Sequence, residues 1–253
     1  MIHGDDVHVW LIDLRQSGRA LREAEDRTVR LSRAEMDRAG THPDQAAAEY
    51  WLAARIALRI ALEAVAGPGL RGRPFELDLA GKPFLPGYEG IISFNLSHSG
   101  PFVLVAISRE AVGVDVEQAR RTRFPHSART LLISAAQALA GEPRAPNDRP
   151  ADGLDGTLLQ AWVRLEAVAK ATGCGIGPLL NDVGMRGPAK TADASAVADR
   201  AAAIMVRERL KLEDLPLPQG LWGAVATSAA SGRLLLREFP ADPEQALTML
   251  ATA

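Results

Sequence analysis

Three short apolar, β-branched segments follow one another closely: Ile91 to Leu96, Phe102 to Ser108 and Val112 to Val116. Only SHSGP separates the first two, and a short turn precedes the third, so the three read as neighbouring strands of an antiparallel sheet. Such a sheet needs a helix to cover it. Pro43 to Ala66 supplies one, an alanine-rich stretch of helical periodicity that stops at Gly67-Pro68-Gly69. Upstream, Val7 to Leu14 reads as a first strand, and Ser32 followed by Glu35 caps a short helix. Phe75 to Leu79 alternates as a strand, and Ala80 to Pro83 is a turn. Residues 127–140 read as helix, and a further helix runs from about Thr157 to Thr172. Between them, residues 141–156 hold three prolines and three glycines, the composition of an exposed loop. Leu221 to Thr227 and Arg233 to Glu238 read as a second strand pair that echoes FVLVAIS followed by VGVDVE. The expected fold is therefore α+β: a pseudo-two-fold pair of similar α/β halves, residues 1–118 and 119–253, each with a small antiparallel sheet packed on a long helix.

Charge narrows the function. The 29 basic and 31 acidic residues leave a net charge of -2, so no global field draws nucleic acid or an anionic membrane. A single cysteine, Cys174, excludes an internal disulfide and a multi-cysteine zinc site and fits a reducing compartment. The opening MIHGDDVHVWLIDL lacks the basic start and long apolar core of a signal peptide. No apolar run reaches the about 20 residues of a membrane-spanning helix. A cytoplasmic protein is expected.

Asp115 and Glu117 stand two apart on a strand, so both carboxylates leave one face, about 7 Å apart along the backbone. They repel unless a cation lies between them, and Mg²⁺, which takes one or two carboxylates plus phosphates and water, fits that need. A solvated strand end would explain the same pair. Trp162, Glu166 and Lys170 recur every four residues on one helix face. They are either a packed tryptophan with an exposed ion pair, or the third carboxylate and the lysine that a magnesium pyrophosphate site still requires. His98, between Ser97 and Ser99 in a strand-to-strand turn, either donates to a phosphate oxygen or bonds a nearby carbonyl. Rival motifs are missing. No G-x-S-x-G surrounds a serine, Gly173 to Gly177 ends a helix instead of opening one, and there is no P-loop.

Taken together, GKP at 81–83, FNLSHSG at 94–100, VGVDVE at 112–117 and W-x3-E-A-x2-K at 162–170 resemble the 4'-phosphopantetheinyl transferases of the surfactin-synthetase-activating type. The resemblance implies coenzyme A bound between two α+β halves. It implies transfer of the phosphopantetheine arm to a serine of an apo acyl or peptidyl carrier protein, with adenosine 3',5'-bisphosphate leaving. On matching positions, Asp115, Glu117 and Glu166 would hold Mg²⁺, Lys170 and His98 would contact phosphate, with Ser97 beside them, and Lys82 would lie near the nucleotide. Glu166 is the expected base for the carrier serine. A monomer suffices for such a site, in fatty-acid, polyketide or peptide-synthetase biosynthesis.

The chain departs from that pattern in three places. The lysine usual before Glu166 is Leu165, with Arg164 about 100° away around the helix. LLISAAQ at 131–137 stands for an aromatic-rich stretch, with Gln137 in a glutamate's place. A coenzyme A-binding arginine aligns with Tyr50, leaving Arg55 and Arg59 as substitutes. Downstream of Glu117, Arg120, Arg121, Arg123 and Phe124 form either a solvated basic turn or a docking patch for an acidic carrier helix. Two rival functions remain open: a relative that binds carrier protein or coenzyme A without turnover, and a metal-dependent pyrophosphate hydrolase.

Overall fold

The computed structural model describes residues 4–41, 43–141, 153–243 and 245. Among them the chain is a mixed α+β protein. Its contacts divide it into two compact units, residues up to Glu110 with those from Ser231 onward, and Ala111–Ala230. The sequence reading drew one boundary at 118; by contacts, Ala111 to Gln118 group with the second unit and the residues after Ala230 with the first.

The first unit runs through β1 (Val7–Asp13), α1 (Leu14–Arg27), α2 (Arg33–Gly40) and α3 (Gln45–Ala66). It continues through β2 (Glu76–Leu77), β3 (Pro83–Phe84), β4 (Ser93–Ser99) and β5 (Phe102–Ser108). The second unit holds β6 (Val112–Gln118), α4 (His126–Leu139), α5 (Gly153–Thr172), α6 (Ile176–Asp182), α7 (Ala194–Arg207), β7 (Leu210–Asp214) and β8 (Leu221–Ser228). The chain then supplies β9 (Leu234–Glu238) to the first unit.

In the first unit the sheet order is β4-β5-β1-β9. α3 is the helix expected from the alanine-rich stretch. Asp44 accepts hydrogen bonds from the N–H groups of Ala46 and Ala47 at its start, and Gly67, at φ 83°, ends it in a conformation that a side chain would disfavour. Ile56 and Ile60 of α3 join Phe94, Val103, Val105 and Ile107 of the sheet in one buried cluster. The capping box expected at Ser32 and Glu35 forms. The same Glu35 accepts from Arg59 of α3 at 2.6 Å, both side chains nearly buried, so α2 is tied to α3 through a desolvated pair. Arg30, 2.7 Å from Glu63, adds a second buried tie. Removing one partner of such a pair costs about 3–5 kcal/mol, because the other charge is left stranded.

The second unit carries the sheet order β6-β8-β7. α5 packs on it, and Leu132 of α4, Val163 of α5, Val197 of α7 and Trp222 of β8 share its core.

Two strand pairings differ from the sequence reading. β6 does not join β5, because both edges of β5 are already taken by β1 and β4; it pairs antiparallel with β8, Val114 opposite Val225. Likewise β8 and β9 do not form a hairpin. β8 has β6 and β7 on its two edges, and β9 runs parallel to β1, with Val9 opposite Leu236. The turn expected over Ala80 to Pro83 forms two positions earlier at its start, from Asp78 to Lys82, with Pro83 already in β3, and the strand before it shrinks to Glu76–Leu77. α5 starts at Gly153, four positions before the expected Thr157. The rest of the loop expected over 141–156 lies outside the described residues, Gly141 excepted. Among the described residues no helix is long and apolar enough to cross a membrane.

The β1–β9 contact includes one titrating group. His8 is buried, its Nδ1 2.8 Å from Arg237 Nη1, and burial followed by the Arg237 charge lowers its pKa against the pull of Asp6. Below the ordinary value of 6.5 the unfolded chain binds a proton that the folded chain resists. Stability is therefore full above that pH and falls as the solution is acidified. Urea titrations between about pH 5 and 7 should show this slope in the wild type, and it should shrink in His8→Gln; an unchanged slope would contradict the assignment.

Candidate active site

The second unit brings four of the expected residues together, and a glycine makes this possible. A Cβ on Gly113 of β6 would stand 2.2 Å from the Ala167 carbonyl oxygen and 2.3 Å from the Ala171 nitrogen. Only a residue without a side chain lets the α5 backbone lie directly on β6. Two residues on, Asp115 points to the same face of the strand, and Lys170 reaches it from α5 with Nζ 2.6 Å from Oδ1. The pair is largely desolvated, with 8% of the Asp115 and 26% of the Lys170 side chain exposed.

Glu117, half-buried, receives a fork from Arg120, with Nη2 2.9 Å and Nε 3.3 Å from its two oxygens. Glu166 lies one helical turn before Lys170. Burial first, then the Asp115 carboxylate, with Glu117 adding, push its pKa above the ordinary carboxylate value against the opposing pull of Lys170. Three carboxylates and two cations thus form one electrostatic neighbourhood.

Further contacts hold α5 in place. Arg164 grips Asp214 of β7 through Nε at 2.8 Å and Nη2 at 2.5 Å, and Gln160 adds a bond of 2.8 Å to the same carboxylate. Arg164 is therefore engaged on β7, and Leu165 is fully buried, so neither supplies the cation that the motif usually places before Glu166. Trp162 packs its ring on Phe124, centroids 5.3 Å apart. Asp155, in the first turn of α5, accepts from the Thr122 N–H at 3.1 Å and its hydroxyl at 2.6 Å. These ties fix the segment that presents exposed Arg120, Arg121 and Arg123. Neither Asp155 nor Asp214 had a signal in the sequence, since each pairs across more than thirty residues.

The remaining candidates are on the first unit. Ser97 and His98 lie within β4 and not in the turn expected there; the turn is Gly100, at φ 56°, with Pro101. Strand alternation puts Ser97 inward and His98 outward, so the two side chains do not share a face. Lys82 sits in the Asp78 turn, where burial lowers its pKa despite Asp78. Arg55 places its guanidinium 5.2 Å from the Trp51 ring centroid, with Arg38 at 5.7 Å from the same ring. Burial holds it below the ordinary guanidinium value, with Arg38 and Arg59 adding and Glu35 opposing. Arg59 is not a substitute ligand. It is 2% exposed, committed to Glu35 and stacked 3.8 Å over Phe75. Tyr50 and Gln137 are exposed.

Among the described residues no three His, Cys, Asp or Glu side chains stand close enough to form a ready-made metal site. The donor chemistry of Asp115, Glu117 and Glu166 nevertheless fits a hard divalent cation: all are carboxylates, coupled in charge, and Asp115 already binds a positive group at 2.6 Å.

Comparison with known proteins agrees with this part of the chain. Residues 111–217 match the family model of the 4'-phosphopantetheinyl transferase superfamily. The match takes in Asp115, Glu117, Glu166 and Lys170 and stops short of Arg55, Lys82, Ser97 and His98. No curated protein matches the chain.

Since Gly113 sets the distance between β6 and α5, Gly113→Ala must push backbone from backbone. An urea denaturation should show a loss of about 3 kcal/mol, the upper range for overpacking; a loss under about 1 kcal/mol would mean the helix has room to shift.

Proposed function

We propose that this protein is a Mg²⁺-dependent 4'-phosphopantetheinyl transferase of the surfactin-synthetase-activating type, acting on an apo acyl or peptidyl carrier protein in the cytoplasm, as a monomer. The observation that carries the reading is the convergence of Asp115, Glu117, Glu166 and Lys170 on the β6–α5 contact, inside the stretch that matches the superfamily model. In this reading the three carboxylates would hold Mg²⁺, which supplies charge neutralisation to the coenzyme A pyrophosphate when bound. Lys170 would contact the phosphates, as would His98 with Ser97. Lys82 and Arg55 would serve the nucleotide end.

The carrier serine oxygen forms a phosphodiester bond to the phosphorus nearer the pantetheine arm. The pyrophosphate P–O bond breaks, and adenosine 3',5'-bisphosphate leaves with the bonding electrons. Glu166 would take the serine proton, as the carboxylate that α5 presents beside Asp115 and Lys170. Exposed Arg121 and Arg123, with Arg120 and Phe124, would receive an acidic carrier helix, raising the association rate and setting its orientation.

One observation favours a second reading, a relative that binds without turnover. Leu165 is buried and Arg164 is committed to Asp214, so a cation usual in the motif is missing from its place.

Intact-mass spectrometry of an apo acyl carrier protein and an apo peptidyl carrier protein, each incubated with the protein, coenzyme A and Mg²⁺, tests the proposal. A gain of about 340 Da is expected on at least one, with little adenosine bisphosphate released until the carrier is added. Release without carrier would mean a hydrolase, and no gain with coenzyme A binding intact would favour the non-turnover relative. Asp115→Asn and Glu166→Gln should each lower transfer by about a hundredfold or more; full activity in either would remove the site. Arg121→Ala should reduce kcat/KM for the carrier and its salt dependence while leaving the KM for coenzyme A unchanged; an unaltered carrier response would reject the docking face.

A further inference from the structure

The acidic centre of the second unit carries its own counter-ions. Lys170 Nζ lies 2.6 Å from Asp115 Oδ1, and Arg120 forks onto Glu117. The two ties are unequal. The Asp115–Lys170 pair is mostly withdrawn from water, whereas the Arg120 side chain is 49% exposed, where an ion pair contributes little.

We propose that Lys170 is the resident counter-ion of this site, and that a divalent cation binds by displacing its ammonium from Asp115. This inference rests on the metal reading given under Proposed function.

The geometry supports the exchange in three ways. First, the ammonium is a hard, singly charged group seated directly on the most buried of the three carboxylates, so a cation using that carboxylate must compete with it. Second, Lys170 and Arg120 leave the three carboxylates short by one positive charge, which a doubly charged ion in the ammonium's place would supply. Third, the group to be displaced is the mobile end of a side chain on a fixed helix. α5 is pinned by the Gly113 contact and by the Arg164–Asp214 fork, while the lysine head hangs on a flexible four-carbon stem. Once displaced, the ammonium remains one turn from Glu166 on the same helix face, placed to meet an anion that accompanies the metal. Cation arrival and anion capture are thereby coupled through one side chain.

The test uses the full chain and the metal alone, without coenzyme A. Calorimetric titration with Mg²⁺ should give an affinity about tenfold tighter for Lys170→Met than for the wild type, because the competitor is gone. Lys170→Arg, which keeps the charge, should stay within about twofold of wild type. Arg120→Met should gain less than about threefold, since its tie is solvent-screened. The wild-type protein gives a second readout that depends on no destabilised variant. With ¹⁵N-labelled lysine, the Lys170 ammonium resonance, identified by its loss in Lys170→Arg, should shift or broaden as Mg²⁺ is added. Equal or weaker Mg²⁺ affinity in Lys170→Met, or an ammonium resonance unmoved at saturating Mg²⁺, overturns the inference and leaves the metal reading standing. If neither the wild type nor Lys170→Met takes up Mg²⁺, the metal reading falls and the inference falls with it.

Discussion

The direct backbone contact of α5 on β6 governs the second unit, and Gly113 is the residue that permits it. A side chain there would hold the helix off by the thickness of a methyl group or more, widening the gap that Lys170 crosses to make its 2.6 Å bond with Asp115. The helix is also fixed in rotation. Arg164 and Gln160 bind Asp214 on one side, and Trp162 packs at a tilt against Phe124 on another. With translation and rotation both set, Glu166 stays beside the two β6 carboxylates, and burial first, then their charges, push its pKa up. A site built on a strand and a helix in this way is pre-organised by packing, so its polar geometry does not depend on loops.

Several parts of this arrangement were legible in the sequence, each for a local reason. Period-2 spacing put Asp115 and Glu117 on one face, and period-4 spacing did the same for Trp162, Glu166 and Lys170. The cap at Ser32 opened α2 and the stop at Gly67 closed α3, because such end signals are decided within four residues. What the sequence hid was non-local. Which strand pairs with which depends on free edges, and β5 and β8 each have one edge filled by a strand remote in sequence, β1 and β6, that proximity does not identify. The same holds for Asp155 and Asp214, whose partners lie more than thirty residues away, and for Ser97 and His98, where extension of β4 by three residues replaced the expected turn. α7 and β7 also went unassigned, although β7 carries the Asp214 that anchors α5.

The departures from the family pattern can now be separated by what surrounds them. Leu165 lies in the core of the second unit, so a lysine at that position would need its charge desolvated or the helix turned. Arg164 is no replacement, because its guanidinium is spent in a bidentate bond whose loss would strand Asp214. On the first unit, Arg59 is likewise structural, which leaves Arg55 and Arg38 around Trp51 as cations near the exposed Tyr50. Stacking on an indole lowers the cost of holding two guanidinium groups close together.

These substitutions fall on groups that would meet the anionic ends of a substrate, whereas the three carboxylates occupy the places that their spacing anticipated. A carboxylate site without enough cations around it leans more heavily on whatever positive charge it recruits. Lys170 and Arg120 already perform that service within the chain, one firmly and one loosely. The loosely held Arg120 is also the first member of the exposed arginine segment, so its fork on Glu117 ties that segment to the β6–α5 contact through a single guanidinium.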